Sequence, residues 1–177
     1  MKEIVQDGAK VLREIAEPMP KDLFGTPELT RIIADMTEAL DKELEGVALA
    51  APQVGVPYRI FIVREDRTVP LPDVAENKAF PAPEPKVEIY INPEIIKTSR
   101  KRIKGDEGCL SIRGVYGTTK RHEKVTIRAY RIDGSRFQRG ASGIMAQIFE
   151  HEIDHLNGIL FTENAENLVH IKHEPNE

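Results

Sequence analysis

Cysteine is almost missing: Cys109 is the only one in 177 residues. An intrachain disulfide is therefore excluded, a reducing cytoplasm is the fitting compartment, and the thiol is left for packing, reactivity or metal binding. No apolar run is long enough to span a bilayer. The first sixteen residues alternate charges with short apolar pieces and lack a continuous apolar stretch, so no secretory signal is expected. Neither sign of charge is in large excess. A net charge of -4 gives no reason to expect binding to nucleic acid or an acidic membrane. Locally, Lys97, Arg100, Lys101, Arg102 and Lys104, followed by Lys120, Arg121, Lys124 and Arg128, read as a solvated strand face or as a contact for a large anionic partner such as the ribosome. Internal repeats are absent as well. What remains is a chain of ordinary globular composition, 40% apolar and 31% charged, which predicts one domain over 1–177.

Apolar spacing supplies the elements. Thr26 as a cap, Pro27 in the first turn, and Leu29, Ile32, Ile33, Met36, Leu40 and Leu44 at helical intervals predict a helix over 27–45, stopped by Gly46. Residues 47–55 are small and loop-like, and 58–63 form a β-branched and aromatic run typical of a strand. Prolines at 70, 72, 81, 83 and 85 mark 64–86 as an extended loop or flap. Strand patterns resume at 87–91 and 94–103, and Val125, Ile127 and Ala129 alternate with polar neighbours. Asp133-Gly134 is a hairpin turn. After Phe161 the chain reads as a polar tail. The order predicts an α+β fold, with antiparallel β-sheets packed around a central helix.

That central helix carries the most informative residues. His151-Glu152-Ile153-Asp154-His155 spells H-E-x-x-H, and positions four apart are stacked neighbours, so both imidazoles can meet one cation. Glu152 points about 100° away, toward a water on the open side of that cation. Ile144 and Ile148 share the histidine stripe, while Met145, Phe149, Ile153 and Leu156 widen it. Ser142 suits the N-cap and Gly158 the C-terminal stop. A catalytic site of this kind needs a third protein ligand. The longer motif with a third histidine is excluded, because Phe161 stands at that position. Glu163, Glu166, His170, His173 and Glu174 are downstream donors, and Cys109 is an upstream one with the affinity of a thiolate for a first-row metal. Ile144 and Ile148 fit core or pocket equally, Gln53 fits a turn cap or a working amide, and His122, His170 and His173 read as surface residues.

Three ordered segments together resemble the peptide deformylases: Gly46-Val47-Ala48-Leu49-Ala50-Ala51-Pro52-Gln53, then Glu107-Gly108-Cys109-Leu110-Ser111, then His151 to His155 with Leu156-Asn157-Gly158 continuing it. Ile4-Val5 and Val11-Leu12-Arg13 are similar to the family's N-terminal segment. The resemblance implies a metal-dependent hydrolase that releases formate from formyl-methionine at the start of new polypeptides. It implies Cys109, His151 and His155 as ligands of one divalent ion, ferrous iron first, with zinc, nickel or cobalt able to occupy the site. Glu152 is then the general base and acid, and the Gln53 amide and the backbone N–H of Leu110 face the oxyanion. Val47, Ala48, Gly108, Ile144 and Ile148 are the implied pocket for the methionine side chain. Two departures stand out. Ala48 replaces the second glycine of the first motif, and Arg113 stands where a proline commonly follows the cysteine motif. The 64–86 loop is also longer than a minimal member needs. A metallopeptidase with a downstream ligand and a non-catalytic metal-binding or peptide-binding relative are the competing expectations.

Overall fold

The computed structural model describes residues 2–69 and 84–172. Residues 70–83 of the expected 64–86 loop, with four of its five prolines, lie outside them, as do His173 and Glu174. The first long helix, α1 (Pro27–Asp41), starts where its punctuation predicts: the Leu29 N–H donates to the Thr26 hydroxyl oxygen at 3.3 Å, and Pro27 occupies the first turn. It ends four residues before the predicted boundary. The chain folds back there to bring Gly46 against Leu40 and Leu110, where a Cβ would stand 3.0 and 3.1 Å from their side chains.

Strand β1 (Ala48–Ala50) follows, then a 3-10 turn over Ala51–Val54, then β2 (Ile60–Arg64). The small, apolar 47–55 segment is thus ordered structure rather than loop. Next come β3 (Val87–Thr98), β4 (Arg102–Cys109), β5 (Ile112–His122), β6 (Lys124–Tyr130) and β7 (Arg136–Ser142). The two predicted strands at 87–91 and 94–103 are redistributed. Residues 87–98 form one strand, with a register shift at Asn92-Pro93, where a residue lacking an N–H is tolerated, and the break falls instead before Arg102. Asn92 takes a φ of 47°, and its side-chain amide brackets Met19, accepting from its N–H at 2.7 Å and donating to its carbonyl at 3.2 Å. Asp133-Gly134 turns β6 into β7 as expected, with Gly134 at a φ of 86°.

Five strands form one antiparallel sheet in the order β1-β2-β3-β6-β7, and β4-β5 with β8 (Glu166–His170) form a second. The predicted polar tail therefore contains an edge strand. Its five residues are all exposed, so no apolar alternation announces it.

Helix α2 (Gly143–Leu156) carries the two histidines. Ser142 holds its N-cap position without a side-chain hydrogen bond, and Gly158 at a φ of 74° follows its end. On one face of the five-stranded sheet, Phe61, Val63, Tyr90, Val125 and Ile127 pack against Phe149 and Ile153 of α2. On the other, Ile60, Ile62 and Ile91 pack against Leu29, Met36 and Leu40 of α1. Strand β2 is buried on both faces and lies between β1 and β3. Helix α2 also meets β5, so it lies between the two sheets. The α+β architecture is the predicted one.

Candidate metal centre and substrate cleft

Strand β4 ends in the residues that approach α2. Its ladder with β5 runs in register from Arg102↔His122 to Gly108↔Tyr116, then slips, so that Cys109 pairs with Ile112 across a tight turn at Leu110-Ser111. Such an irregularity re-aims a side chain, here the Cys109 sulfur. Gly108 is required beside it, because a Cβ would lie 2.8 Å from the Tyr116 ring. From α2, His155 brings its Nε2 to 3.3 Å from the Cys109 sulfur, and one donor atom each from Cys109, His151 and His155 lies within 4.8 Å of the others.

This donor set fits a divalent cation. Ligand atoms on a tetrahedral ion with bonds of about 2.0–2.3 Å stand about 3.5 Å apart. His151 gives its Nδ1 proton to Glu107 Oε1 at 2.7 Å, which leaves Nε2 free of that bond. Burial alone would raise the Glu107 carboxyl, but Arg121 and His151 hold it well below the usual carboxylate range. Burial likewise opposes charge on His151, yet Cys109 and Glu107 outweigh it and lift its pKa to about 10. His155 goes the other way, well below the ordinary histidine value, through burial and the positive charge of His151 and Arg121. His151 and His155 would hold a cation as neutral imidazoles, so binding would displace the extra proton on His151. Burial pushes Glu152 up to about 7. Its Oε2 and the Nδ1 of His155 are buried without a partner among the described residues.

Behind this cluster stand groups that the sequence reading did not single out. Arg121 donates to both Glu107 oxygens, at 2.7 and 2.8 Å, and to Asp154 Oδ2 at 2.8 Å. Thr119 donates to Glu107 as well. Arg121 was expected on a solvated basic face; it is buried, because alternation along β5 turns Gly117, Thr119 and Arg121 inward. His122, expected at the surface, is half-buried and holds Glu150 Oε1 at 2.6 Å. His170 is exposed on β8 as expected.

Gln53 also approaches the sulfur. Its Oε1 accepts from the Ala50 N–H at 2.9 Å, while Nε2 donates to Ser111 Oγ at 3.1 Å and lies 3.6 Å from the Cys109 sulfur. It caps its turn, and its amide nitrogen lies beside the Cys109 sulfur. The N-terminal segment straps this arrangement from behind: the Val5 N–H donates to the Gln53 carbonyl at 2.8 Å, and Gln6 Nε2 to the Leu110 carbonyl at 3.0 Å.

All of this opens on a cavity of about 660 Å³. Gln53, Cys109, Leu110, His151 and Glu152 line it together with Val47, Ala48, Gly108, Ile144 and Ile148. Ile148 is buried and belongs to the core as well, whereas Ile144 is 55% exposed at the mouth. Ala48 is not among the positive-φ residues, so its methyl narrows the cavity without backbone strain. No downstream donor joins Cys109, His151 and His155 among the described residues. Glu163 binds Arg13, Glu166 binds Lys104, and His170 faces solvent.

A family model described as Polypeptide deformylase matches residues 1–170. The chain belongs to the peptide deformylase family. It is 40% identical over 94% of both chains to the peptide deformylase of Carboxydothermus hydrogenoformans, and 39% identical to that of Roseiflexus castenholzii, over 94% of this chain and 87% of that one. Among solved structures, the actinonin-bound class I type b peptide deformylase from Acinetobacter baumannii superposes with a TM-score of 0.79 at 30% identity, covering 94% of this chain and 99% of that one. The Thermotoga maritima peptide deformylase gives 0.77 at 29% identity, over 94% and 99%. Deformylases are metalloenzymes acting on nascent formyl-methionyl peptides. As a deformylase, this chain is a hydrolase of protein N-terminal processing, and it contains no helix long and apolar enough to cross a membrane among its described residues.

Proposed function

We propose that the cavity beside Cys109 is where the formyl group is removed, with Cys109, His151 and His155 holding one catalytic ion. The convergence of one sulfur and two imidazoles within 4.8 Å, beside an unpartnered buried carboxylate oxygen of Glu152, carries this reading. When bound, the ion supplies a Lewis acid that polarises the formyl carbonyl and makes water acidic near neutral pH. A thiolate with two imidazoles suits iron(II), zinc, nickel or cobalt, and iron is the proposed native ion.

Glu152 moves the protons. Its free Oε2 accepts one from the attacking water and returns it to the leaving amide nitrogen, so that formate departs and methionine gains a free amine. Gln53 is held from both ends of its amide, and its Nε2 donates to the carbonyl oxygen as negative charge develops there, beside the backbone N–H of Leu110. Glu107 holds His151 in one tautomer and is itself pinned by Arg121. Val47, Ala48, Gly108, Ile144 and Ile148 form the wall for the methionine side chain. The compartment is the cytoplasm, where formylated chains emerge and a single free thiol stays reduced. Transient contact with the ribosome through the basic cluster is the proposed route to those chains.

Formate release from a formyl-methionyl peptide, measured anaerobically on protein loaded with iron or nickel, tests the reading. Glu152→Gln should lower turnover about 10²- to 10⁴-fold while the ion content stays the same. Full activity in that variant, or retention of the ion by Cys109→Ala, would overturn the assignment.

A further inference from the structure

Arg113 occupies the position where a proline commonly follows the cysteine motif, and nothing in the hydrolysis uses it. Its guanidinium grips Glu43 with both terminal nitrogens, at 3.0 and 2.8 Å, in the fork geometry that is the strongest form of such a pair. The two residues come from different walls of the cavity. Glu43 lies in the turn between α1 and β1, and Arg113 is the second residue of β5, just after the Cys109 turn. Gly46 against Leu110 joins the same two walls. The pair is at the mouth, since the Arg113 side chain is 52% exposed and that of Glu43 23%. Lys42, Glu45 and Asp106 are the other charged side chains lining the cavity apart from the inner Glu107 and Glu152. Lys42 is engaged with Glu38 at 3.3 Å outside this ring. With Arg113 answering Glu43, the mouth stays only mildly acidic; without it, three carboxylates face one lysine.

We propose that Arg113 and Glu43 form a specificity-determining pair, in which Arg113 offsets the acidic mouth so that peptides bearing an acidic residue directly after formyl-methionine are accepted. This rests on the reading that the peptide lies in this cavity. Arg113 acts by charge on the part of the peptide that projects out of the pocket, and Glu43 tempers that charge. Removing either partner therefore shifts selectivity in opposite directions. A pair that merely ties two walls together would instead loosen the mouth alike for every peptide.

The experiment measures kcat/KM of the metal-loaded enzyme for formyl-Met-Ala-Ser, formyl-Met-Asp-Ser and formyl-Met-Lys-Ser, in the wild type, Arg113→Gln, Glu43→Gln and the double variant. Arg113→Gln should lower the Asp/Ala ratio and raise the Lys/Ala ratio, each about three- to fivefold, as expected for one partly exposed charge. Glu43→Gln should move both ratios the other way. The double variant should return close to wild type, the changes should reside in KM, and all should shrink at about 1 M salt, where charges are screened within about 3 Å. Ratios that stay put, or that move in the same direction in both single variants, overturn the inference. Failure of the wild type to turn over the neutral peptide overturns the reading of the cavity and this inference with it.

Discussion

Glu107 gathers four side-chain donors. His151, Arg121, Thr119 and Gln147 all donate to its two carboxylate oxygens. Glu107→Gln replaces one acceptor oxygen by a donor amide, loosens the His151 ring and leaves Asp154 as the only anionic partner of Arg121 among the described residues. Metal affinity should fall about 10- to 100-fold, read by competition with a chelator. Stability should fall by about 3 kcal/mol, since a buried cation loses a partner, read by urea denaturation. An unchanged affinity would mean that His151 is positioned without Glu107. The sequence displays Cys109, His151 and His155 because their spacing and neighbours are rare. It does not display Arg121, which sits among Lys120, Lys124 and Arg128 as one more cation. Only its ladder position opposite Ile103, on the inward phase of β5, turns it toward Glu107.

Elements differ in how plainly they are written. Helices α1 and α2 are long enough for a 3.6-residue stripe to emerge, and α1 adds a working Thr26 cap. Strand β1 has three residues, all buried, and β8 has five, all exposed. Neither offers the alternation on which a strand is recognised, because one is covered on both faces and the other lies at an open edge. The end of α2 depends on backbone shape. Gly158 has a φ of 74°, and a Cβ there would lie 2.7 Å from the Arg13 carbonyl oxygen, a backbone atom without freedom to yield. The neighbouring Leu156 carbonyl accepts from the Ala16 N–H and from Arg59, both at 2.9 Å, so the N-terminal segment is fastened at the same place. Gly158→Ala should therefore cost about 1–3 kcal/mol. Urea denaturation checks it, and a neutral result would show that the segment around Arg13 moves freely.

At the scale of the molecule, the proposed ion joins the two halves, with Cys109 from the three-stranded sheet and both histidines from the helix packed on the five-stranded one. An ion that binds the folded chain more tightly than the unfolded one stabilises it by mass action, by about 2.7 kcal/mol at a hundredfold excess over Kd. Chelation should thus lower the melting temperature by several degrees, and Cys109→Ser should erase the difference between loaded and stripped protein. A second tie works by charge. Arg64 holds Asp66 through two bonds, at 2.9 and 2.8 Å, and also pairs with Asp41 at the end of α1, while the Lys86 N–H donates to Asp66 at 3.0 Å. Both side chains of the Arg64–Asp66 pair are about nine-tenths buried, at 9% and 8% exposure. The Arg64 bonds hold the Asp66 carboxyl down to about 2, below the unfolded value of about 3.9. A lowered carboxylate pKa contributes stability that is fully present above the unfolded value and disappears as pH falls through the folded one. Asp66→Asn should therefore destabilise the protein at neutral pH by about 1–2 kcal/mol. The gap should shrink to roughly half near pH 3, as the unfolded chain gains the proton first, and close below about pH 2, where the folded carboxyl is protonated as well and resembles the amide. Urea denaturation of both proteins across that range decides it: a gap that stays constant down to pH 3 would mean that packing of the side chain, and not its charge, secures this corner of the fold.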